Sequence, residues 1–343
     1  MPEGLSYISP RDNSYLLGHE EAENFLLEAW KNNSLHNSWL FSGVEGIGKA
    51  TLAYKFARFL LSADTSRKDQ YVSLDVSPDN QVFKLVSNNA HPDLKIIERD
   101  YTDADRRKII KAIKEMQGLK RSAFIRVDDV RTINEFLSKK SSQDGWRVVI
   151  VDSIDDMNTA SANAILKILE EPPHQTVLLL ISHNPNRLLP TIKSRCAKLL
   201  LKPLNDANLG SLLRRYRPGL SEPEIKGLVE IGSGSIGKTL NYADNDALGK
   251  YERLKKIVTS GSGFKLAELL SFCDAAVADE DNYYLVQSLI LKLIHQLIRE
   301  VSDIENLARS WDDAIKTFSE TDSLNLDRKQ ALLTVITNLC KRM

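Results

Sequence analysis

Residues 42–51 read SGVEGIGKAT and join a short apolar run to an amphipathic helical pattern. Three glycines let backbone N–H groups turn toward an anion: Gly43, Gly46 and Gly48. The following helix adds the partial positive charge of its N-terminus, and Lys49 supplies a point charge for the β- and γ-phosphates of a nucleotide. An accidental glycine-rich turn is the alternative, but strand, spacing, lysine and helix together favour a phosphate-binding loop.

The residues that would hold a metal and activate water depart from the pattern of an NTP-hydrolysing enzyme. The position after the lysine should be Ser or Thr, whose hydroxyl coordinates Mg²⁺, but it is Ala50. Thr51 comes one residue late, about 100° further round the helix. Another apolar run, 148–151, leads to Asp152, the position of a metal-binding carboxylate, yet Ser153 follows where ATPases usually have glutamate. Asp152 alone is also typical of a strand-end carboxylate that caps a turn. It is a candidate metal ligand only because a phosphate loop precedes it in the chain.

These departures predict a nucleotide-binding fold that has lost turnover. Whether ATP binds stays open, because the lysine and all three glycines remain while the hydroxyl is missing. An active ATPase, in which Thr51 or water replaces that hydroxyl, and a scaffold with an empty nucleotide site are the two alternatives. The candidate cofactor-binding residues are Gly43, Gly46, Gly48, Lys49, Thr51 and Asp152.

Short apolar runs alternate with helical patterns over the first two hundred residues. Continuous apolarity is typical of strands buried on both faces, so the runs predict an α/β domain with a parallel sheet wrapped by helices. The runs are 39–41, 94–97, 148–151, 177–181 and 199–201. After Pro203 the strand signal stops, and helical patterns predict a small helical domain followed by an all-α bundle. The predicted domains are residues 1–203, 204–246 and 247–343.

The 343 residues carry 46 Lys and Arg against 46 Asp and Glu, a formal net charge of zero. This balance argues against a protein that coats nucleic acid or an anionic membrane by net charge alone. The cysteines are dispersed and form no CxxC pair, which indicates a reduced protein and excludes a disulfide framework; they are Cys196, Cys273 and Cys340. The longest apolar runs are too short to cross a bilayer. We therefore expect a cytoplasmic protein with no membrane partner.

Arg195 lies near the end of residues 188–196, LLPTIKSRC, which follow the fourth apolar run. One interpretation is an inward-facing structural residue. The other is an arginine finger, offered in trans to the γ-phosphate on a neighbouring subunit, where an always-charged fork stabilises developing charge. The residue types alone leave both interpretations open.

Several motifs resemble the clamp-loader family of AAA+ proteins. Ser194-Arg195-Cys196 is similar to the SRC motif of that family, and residues 163–173, NAILKILEEPP, closely resemble its NALLKxLEEPP segment. Residues 35–41, 91–93 and 127–131 are also similar to clamp-loader sequence and come in the right order. An SRC motif with a defective phosphate loop resembles the delta-prime subunits of bacterial DNA polymerase III rather than the ATP-hydrolysing gamma/tau subunits.

The resemblance implies a five-stranded AAA+ P-loop domain, a small helical lid and a C-terminal helical collar that holds five subunits in a ring. It implies an ATPase-deficient subunit that works with gamma/tau and delta subunits to load a sliding clamp onto primer–template DNA. It gives Arg195 the trans-acting role, and it places Ser182 and His183 at sensor 1 and Gly237-Lys238 at sensor 2, with Lys where Arg is frequent. Many members carry a four-cysteine zinc module, but residues 62–94 contain no cysteine, so we predict no bound metal.

Two weaker features complete the sequence. A basic run could contact DNA phosphates, but interspersed acidic residues favour a solvated face; it comprises Arg106, Arg107, Lys108, Lys111, Lys114, Lys120 and Arg121. His19 lies near the position where ATPases of this family build an adenine pocket. A lone histidine is more often structural, so we assign it no chemistry.

Overall fold

A parallel sheet organises the first part of the chain. The computed structural model describes residues 9–99, 122, 124–141, 145–300 and 304–342. The strands in this part are β1 (Ser38–Ser42), β2 (Leu94–Ile97), β3 (Arg147–Val151), β4 (Thr176–Ser182) and β5 (Ala197–Leu200). They pair in parallel in the order β2-β3-β4-β1-β5. The predicted P-loop α/β fold with a five-stranded parallel sheet is therefore confirmed.

Both faces of the sheet are covered, as the continuous apolar runs predict. Every residue of β1, β3 and β4 is buried. Successive side chains of β1 enter different apolar clusters, with Phe41 in one and Leu40 in the other, because neighbours along a strand point to opposite faces. β5 lies at the edge, where Leu200 is 68% exposed, and the strand begins two residues before the predicted run at Leu199. An edge strand alternates between buried and exposed residues, so an apolar run defines its bounds poorly.

Helices cover the two faces of the sheet. They are α1 (Glu20–Lys31), α2 (Lys49–Ser62), α3 (Gln81–Ser87), α4 (Val127–Ser138), α5 (Thr159–Glu170) and α6 (Pro190–Lys193). Apolar residues of α1, α2 and α3, such as Phe56 of α2, pack in the cluster that contains Phe41. Those of α4, α5 and α6, such as Ile165 of α5, pack in the cluster that contains Leu40. The phosphate loop thus lies between a buried strand and a helix fixed on one face of the sheet.

The contacts divide the chain into two units, Met1–Asn208 and Leu209–Met343. Helices follow the sheet: α7 (Asp206–Tyr216), α8 (Glu222–Gly232), α9 (Ile236–Asp244), α10 (Ala247–Thr259), α11 (Leu266–Ala276), α12 (Glu280–Glu300), α13 (Ile304–Leu324) and α14 (Arg328–Arg342). Most of their buried apolar side chains form one cluster, from Leu213 to Cys340. The predicted helical character of this region is confirmed, while the domain limits at 203/204 and 246/247 stay predictions.

Aromatic rings and a lysine fasten the segment after α2 onto α1. Trp30, Phe59 and Tyr71 meet edge to face, with ring centres 4.9, 5.3 and 5.4 Å apart. Lys68 Nζ donates to the carbonyl oxygen of Trp30 at 2.8 Å and to Oδ1 of Asn33 at 2.6 Å. The zinc module of the resembled family would fall in this stretch. Within the described ranges, no group of three or more His, Cys, Asp or Glu side chains is placed to hold a metal.

A buried lysine links α1, α2 and the same segment. The side chain of Lys55 is 8% exposed, and its Nζ lies 2.5 Å from Glu23 Oε2 and 2.8 Å from Asp75 Oδ1. Burial raises the pKa of the Glu23 carboxyl. The ammonium group of Lys55 is therefore the counter-charge that lets this carboxylate stay ionised away from water.

The basic run 106–121 lies outside the described residues, so its interpretation stays open. In the part of the chain that the structure describes, none of the helices combines the length and the apolarity needed to cross a bilayer.

Candidate nucleotide site and arginine loop

The phosphate loop, from the end of β1 to the start of α2, has a backbone conformation that requires glycine. The φ angles of Gly43, Gly46 and Gly48 are 144°, 76° and 111°. At Gly43, a Cβ atom would lie 2.5 Å from the carbonyl oxygen of Leu201. That oxygen belongs to the backbone and cannot rotate away as a side chain can. The glycines predicted from the sequence therefore shape this loop.

Lys49 is the first residue of α2 and folds back onto the loop. It is 3% exposed, and its Nζ donates to the carbonyl oxygens of Gly43 at 2.7 Å and Val44 at 2.6 Å. Burial lowers the pKa of Lys49 to about 8, and nearby carboxylates, Glu45 foremost, act in the opposite direction. An ammonium group has three N–H donors, so one remains for a phosphate oxygen.

The next two residues lack the hydroxyl that coordinates a metal directly after the lysine. Ala50 has no hydroxyl to coordinate Mg²⁺. Thr51 lies one residue further along α2 and is 9% exposed. The loop therefore has glycine N–H groups and a lysine of the kind that binds phosphate, but no hydroxyl at the position after the lysine.

His19 contacts the phosphate loop from the segment before α1. It is 5% exposed, and its Nε2 lies 2.7 Å from the carbonyl oxygen of Ile47. A carbonyl oxygen only accepts, so Nε2 carries the proton in this contact. This hydrogen bond gives His19 a structural role that a lone histidine in the sequence could not show.

The carboxyl end of β3 carries the second half of the candidate site. Asp152 donates its N–H to the carbonyl oxygen of Ile97 at 2.8 Å, and burial raises the pKa of its carboxyl. Ser153 has a left-handed backbone, with φ 60° and ψ 62°, and its Oγ lies 2.9 Å from His183 Nε2. The position that holds glutamate in a hydrolysing site therefore holds a hydroxyl bonded to an imidazole.

Asp155 ties the end of β3 to the end of β4. Its carboxylate accepts from Oγ of Ser182 at 2.8 Å, from the N–H of His183 at 2.5 Å and from the N–H of Asn184 at 3.2 Å. Sequence reasoning missed this contact, and no local motif signals it, because it depends on the pairing of β3 with β4. The two residues expected at sensor 1, Ser182 and His183, are thus fixed by hydrogen bonds from the β3 turn.

Arg195 lies just after the short helix α6, with one-third of its side chain exposed. Its Nη1 donates to the carbonyl oxygen of Thr191 at 3.0 Å, and its Nη2 lies 2.5 Å from Oε1 of Glu170, the last residue of α5. Sequence reasoning missed Glu170. The available signal was its place in the LEEPP segment, the second of the two motifs that carry the family resemblance.

Two further residues that the sequence analysis named are Cys196 of the SRC motif and Lys238. Cys196 is buried beside Arg195, and burial raises the pKa of its thiol to about 12. Lys238, expected at sensor 2, lies on α9 in the second unit, with its Nζ 5.4 Å from the ring centre of Tyr242.

Comparisons with known proteins agree with the motifs. Residues 18–205, more than half of the chain, match the family model described as DNA polymerase III, delta subunit. The DNA polymerase III subunit delta′ of Pseudomonas aeruginosa is 32% identical over 199 residues, which are 58% of this chain and 53% of that protein. The delta′ subunit of Escherichia coli is 27% identical over 64% of this chain and 58% of its own length.

Other relatives are of the tau/gamma type. The subunit tau/gamma of Haemophilus influenzae is 25% identical over 91% of this chain and 40% of its own length. The chain thus spans about half the length of the curated relatives it matches. A gamma subunit-related protein of Thermotoga maritima, known from a crystal structure, has 20% identity and a TM-score of 0.44, over 92% of this chain and 99% of that one. On the family match, the chain belongs to the delta-prime family of DNA polymerase III clamp-loader subunits.

Proposed function

We propose that the chain is a cytoplasmic clamp-loader subunit that does not hydrolyse ATP itself and helps load a sliding clamp onto primed DNA. Its partners would be gamma/tau and delta subunits in a hetero-oligomeric ring, through which it would meet the clamp and primer–template DNA. Membership of the family supports the place in the loader, and the chemistry of the site supports a division of labour in which the neighbours hydrolyse ATP.

The hydrogen bond between Ser153 and His183 carries the proposal that the chain is ATPase-deficient. A water molecule that attacks the γ-phosphate is normally oriented and polarised by a carboxylate or amide placed for that purpose. The Ser153 hydroxyl is uncharged and engaged with an imidazole at 2.9 Å. Ala50 removes the Mg²⁺ ligand from the same site. Two separate requirements of phosphoryl transfer therefore lack their usual residues.

ATP turnover by the purified chain tests this proposal directly. We expect hydrolysis far below the ~1 s⁻¹ that marks the lower end for phosphoryl-transfer enzymes, with and without primed DNA. The Ser153→Ala variant should hydrolyse at the same low rate, because the hydroxyl has no part in activating water. A DNA-stimulated rate of ~1 s⁻¹ or above would support the active-ATPase alternative instead.

Nucleotide binding without turnover is a separate question. The glycine loop and Lys49 support binding of a triphosphate. The two carbonyl oxygens that already accept from Lys49 Nζ favour the scaffold alternative, in which the loop shapes the fold only. Equilibrium binding of a fluorescent ATP analogue separates the two, with Lys49→Ala as the site variant and the exposed Lys198→Ala as its control. Binding that is lost only in Lys49→Ala supports a nucleotide site, and no binding by any of the three supports the scaffold.

We further propose that Arg195 acts in trans on ATP held by a neighbouring subunit. Its side chain is one-third exposed and follows a short helix, which suits a group offered across an interface. In a loader reconstituted with gamma/tau and delta subunits, Arg195→Ala should lower ATP hydrolysis without preventing assembly. Arg187→Ala removes an equal charge from an exposed position of the preceding turn and should leave hydrolysis unchanged.

A further inference from the structure

Two acceptors from different parts of the sequence hold the guanidinium of Arg195. One is the carbonyl oxygen of Thr191, in the short helix α6 just before Arg195, 3.0 Å from Nη1. The other is the carboxylate of Glu170 at the end of α5, 2.5 Å from Nη2. The two acceptors engage different nitrogens of the fork, so they restrict its rotation as well as its position.

This arrangement matters because an arginine side chain is long and has many rotamers. A guanidinium that reaches across an interface loses that freedom when it meets its target, which weakens the interaction. A side chain already held in one arrangement loses less. The fork has five N–H donors, and these two contacts leave others for an incoming anion.

The charge of Glu170 has two opposite effects on the interaction of Arg195 with a phosphate. A carboxylate beside the guanidinium weakens its attraction for a phosphate, yet it also fixes the planar group in place. The pair is partly exposed, at 33% for the Arg195 side chain and 48% for that of Glu170, so water screens its charge while the short contact persists. The hold on Nη2 depends on that charge, because a hydrogen bond to a carboxylate is about twice as strong as one to a neutral amide, and positioning is therefore the larger effect.

We propose that Glu170 is a positioning residue for Arg195, which holds the guanidinium ready for the phosphate on the neighbouring subunit. This inference rests on the proposed trans-acting role of Arg195. It joins the two sequence motifs, since a carboxylate of the LEEPP segment would position the guanidinium of the SRC segment.

ATP hydrolysis by the reconstituted loader tests the proposal through a double-mutant cycle. Glu170→Gln keeps the shape of the side chain but removes its charge, and we expect kcat to fall about two- to fivefold with an unchanged KM for ATP, the range that one partly exposed ion pair supports. Glu171→Gln, at the exposed neighbouring position, should match the wild type. In an Arg195→Ala background, Glu170→Gln should have no further effect.

Three results would overturn the proposal in distinguishable ways. An unchanged or higher kcat for Glu170→Gln, while Arg195→Ala is impaired, removes the positioning role only. An equal loss from Glu170→Gln with and without Arg195 shows that Glu170 acts on the fold or the assembly. If Arg195→Ala has full activity, the trans-acting role and the positioning role fail together.

A measurement on the isolated 343-residue chain covers the case in which Glu170→Gln does not assemble. Phenylglyoxal modifies accessible guanidinium groups, and peptide mapping by mass spectrometry gives the rate at Arg195 alone. Release from the carboxylate should raise that rate about two- to fivefold in Glu170→Gln and not in Glu171→Gln. Equal rates in the wild type and Glu170→Gln would show that the carboxylate does not hold the guanidinium.

Discussion

Gly43→Ala places a methyl group where the phosphate loop has no room for one. The Cβ atom would lie 2.5 Å from the carbonyl oxygen of Leu201 and 2.8 Å from Cδ1 of Ile47, and the φ angle of Gly43 is +144°. Ile47 has a flexible side chain and can give way. Leu201 cannot, because its N–H donates to the carbonyl oxygen of Ser42 at 2.8 Å and fixes the backbone beside β1.

Two costs add to give the expected loss of stability. A side chain held in a rarely adopted backbone conformation costs about 1–3 kcal/mol. An atom forced into a filled space costs about 1–3 kcal/mol more, since the neighbouring backbone must shift. We therefore expect Gly43→Ala to lower the free energy of unfolding by about 2–6 kcal/mol, a large share of the roughly 5–15 kcal/mol typical of a folded protein.

Urea unfolding, monitored by tryptophan fluorescence, measures this change in the free energy of unfolding for the unit that contains the phosphate loop. Trp30, Trp39 and Trp146 lie in the first unit, so the signal reports mainly on the sheet domain. Gly219→Ala is the control, because a Cβ atom there would meet nothing within 4 Å. It should change the free energy of unfolding by about 0.5 kcal/mol or less. A loss below about 0.5 kcal/mol for Gly43→Ala, or an equal loss in both variants, would refute the steric argument.

Three further predictions follow from buried polar groups. Lys55→Ala leaves the carboxylate of Glu23 buried without its partner and should cost about 3–5 kcal/mol in urea unfolding, whereas Lys31→Ala, which removes a more exposed pair, should cost about 1 kcal/mol or less. Comparable losses would mean that burial of the pair is unimportant. Burial lowers the pKa of Lys49 to about 8, so the folded chain gives up this proton at a lower pH than the unfolded chain does, near its ordinary value of about 10.4. The stability of the wild type should therefore rise relative to Lys49→Met from pH 8 to pH 10, by about 1 kcal/mol or more, and a flat difference would contradict the lowered pKa. Thiol titration at pH 8 should find little reaction before urea unfolds the chain, because burial raises each thiol pKa, and rapid reaction of the folded chain would exclude the buried positions of Cys196, Cys273 and Cys340.

Local sequence was sufficient for the features that lie within one segment. The spacing of the glycines and the lysine after them identify the loop at 42–51 in the sequence. In the structure the glycines allow the backbone conformation of the loop, and Lys49 donates to two of its carbonyl oxygens. The apolar runs predict buried parallel strands because such strands have no solvent-facing side to mark with polar residues. β5 was the exception, since an edge strand has one exposed side and its bounds do not coincide with an apolar run.

Contacts between segments were beyond the sequence. Ser153 and His183 are 30 residues apart and meet because β3 pairs with β4, while β1 separates β4 from β5. Residue types do not specify that strand order. The pair Glu170–Arg195 depends in the same way on how α5 and the loop after α6 are placed by the sheet. The contacts that the sequence did not predict are therefore those set by topology rather than by local chemistry.

The ring cluster of Trp30, Phe59 and Tyr71, with Lys68, stabilises its segment in a way that does not involve a metal ion. Edge-to-face ring contacts contribute about 0.5–1.5 kcal/mol each and draw on nothing outside the chain. A metal-stapled segment, by contrast, is stable only as far as the free ion concentration allows. The contacts that hold Lys68 and Tyr71 against α1 involve only groups of this chain. The contribution of these contacts to stability should thus be the same whatever the concentration of free metal ions.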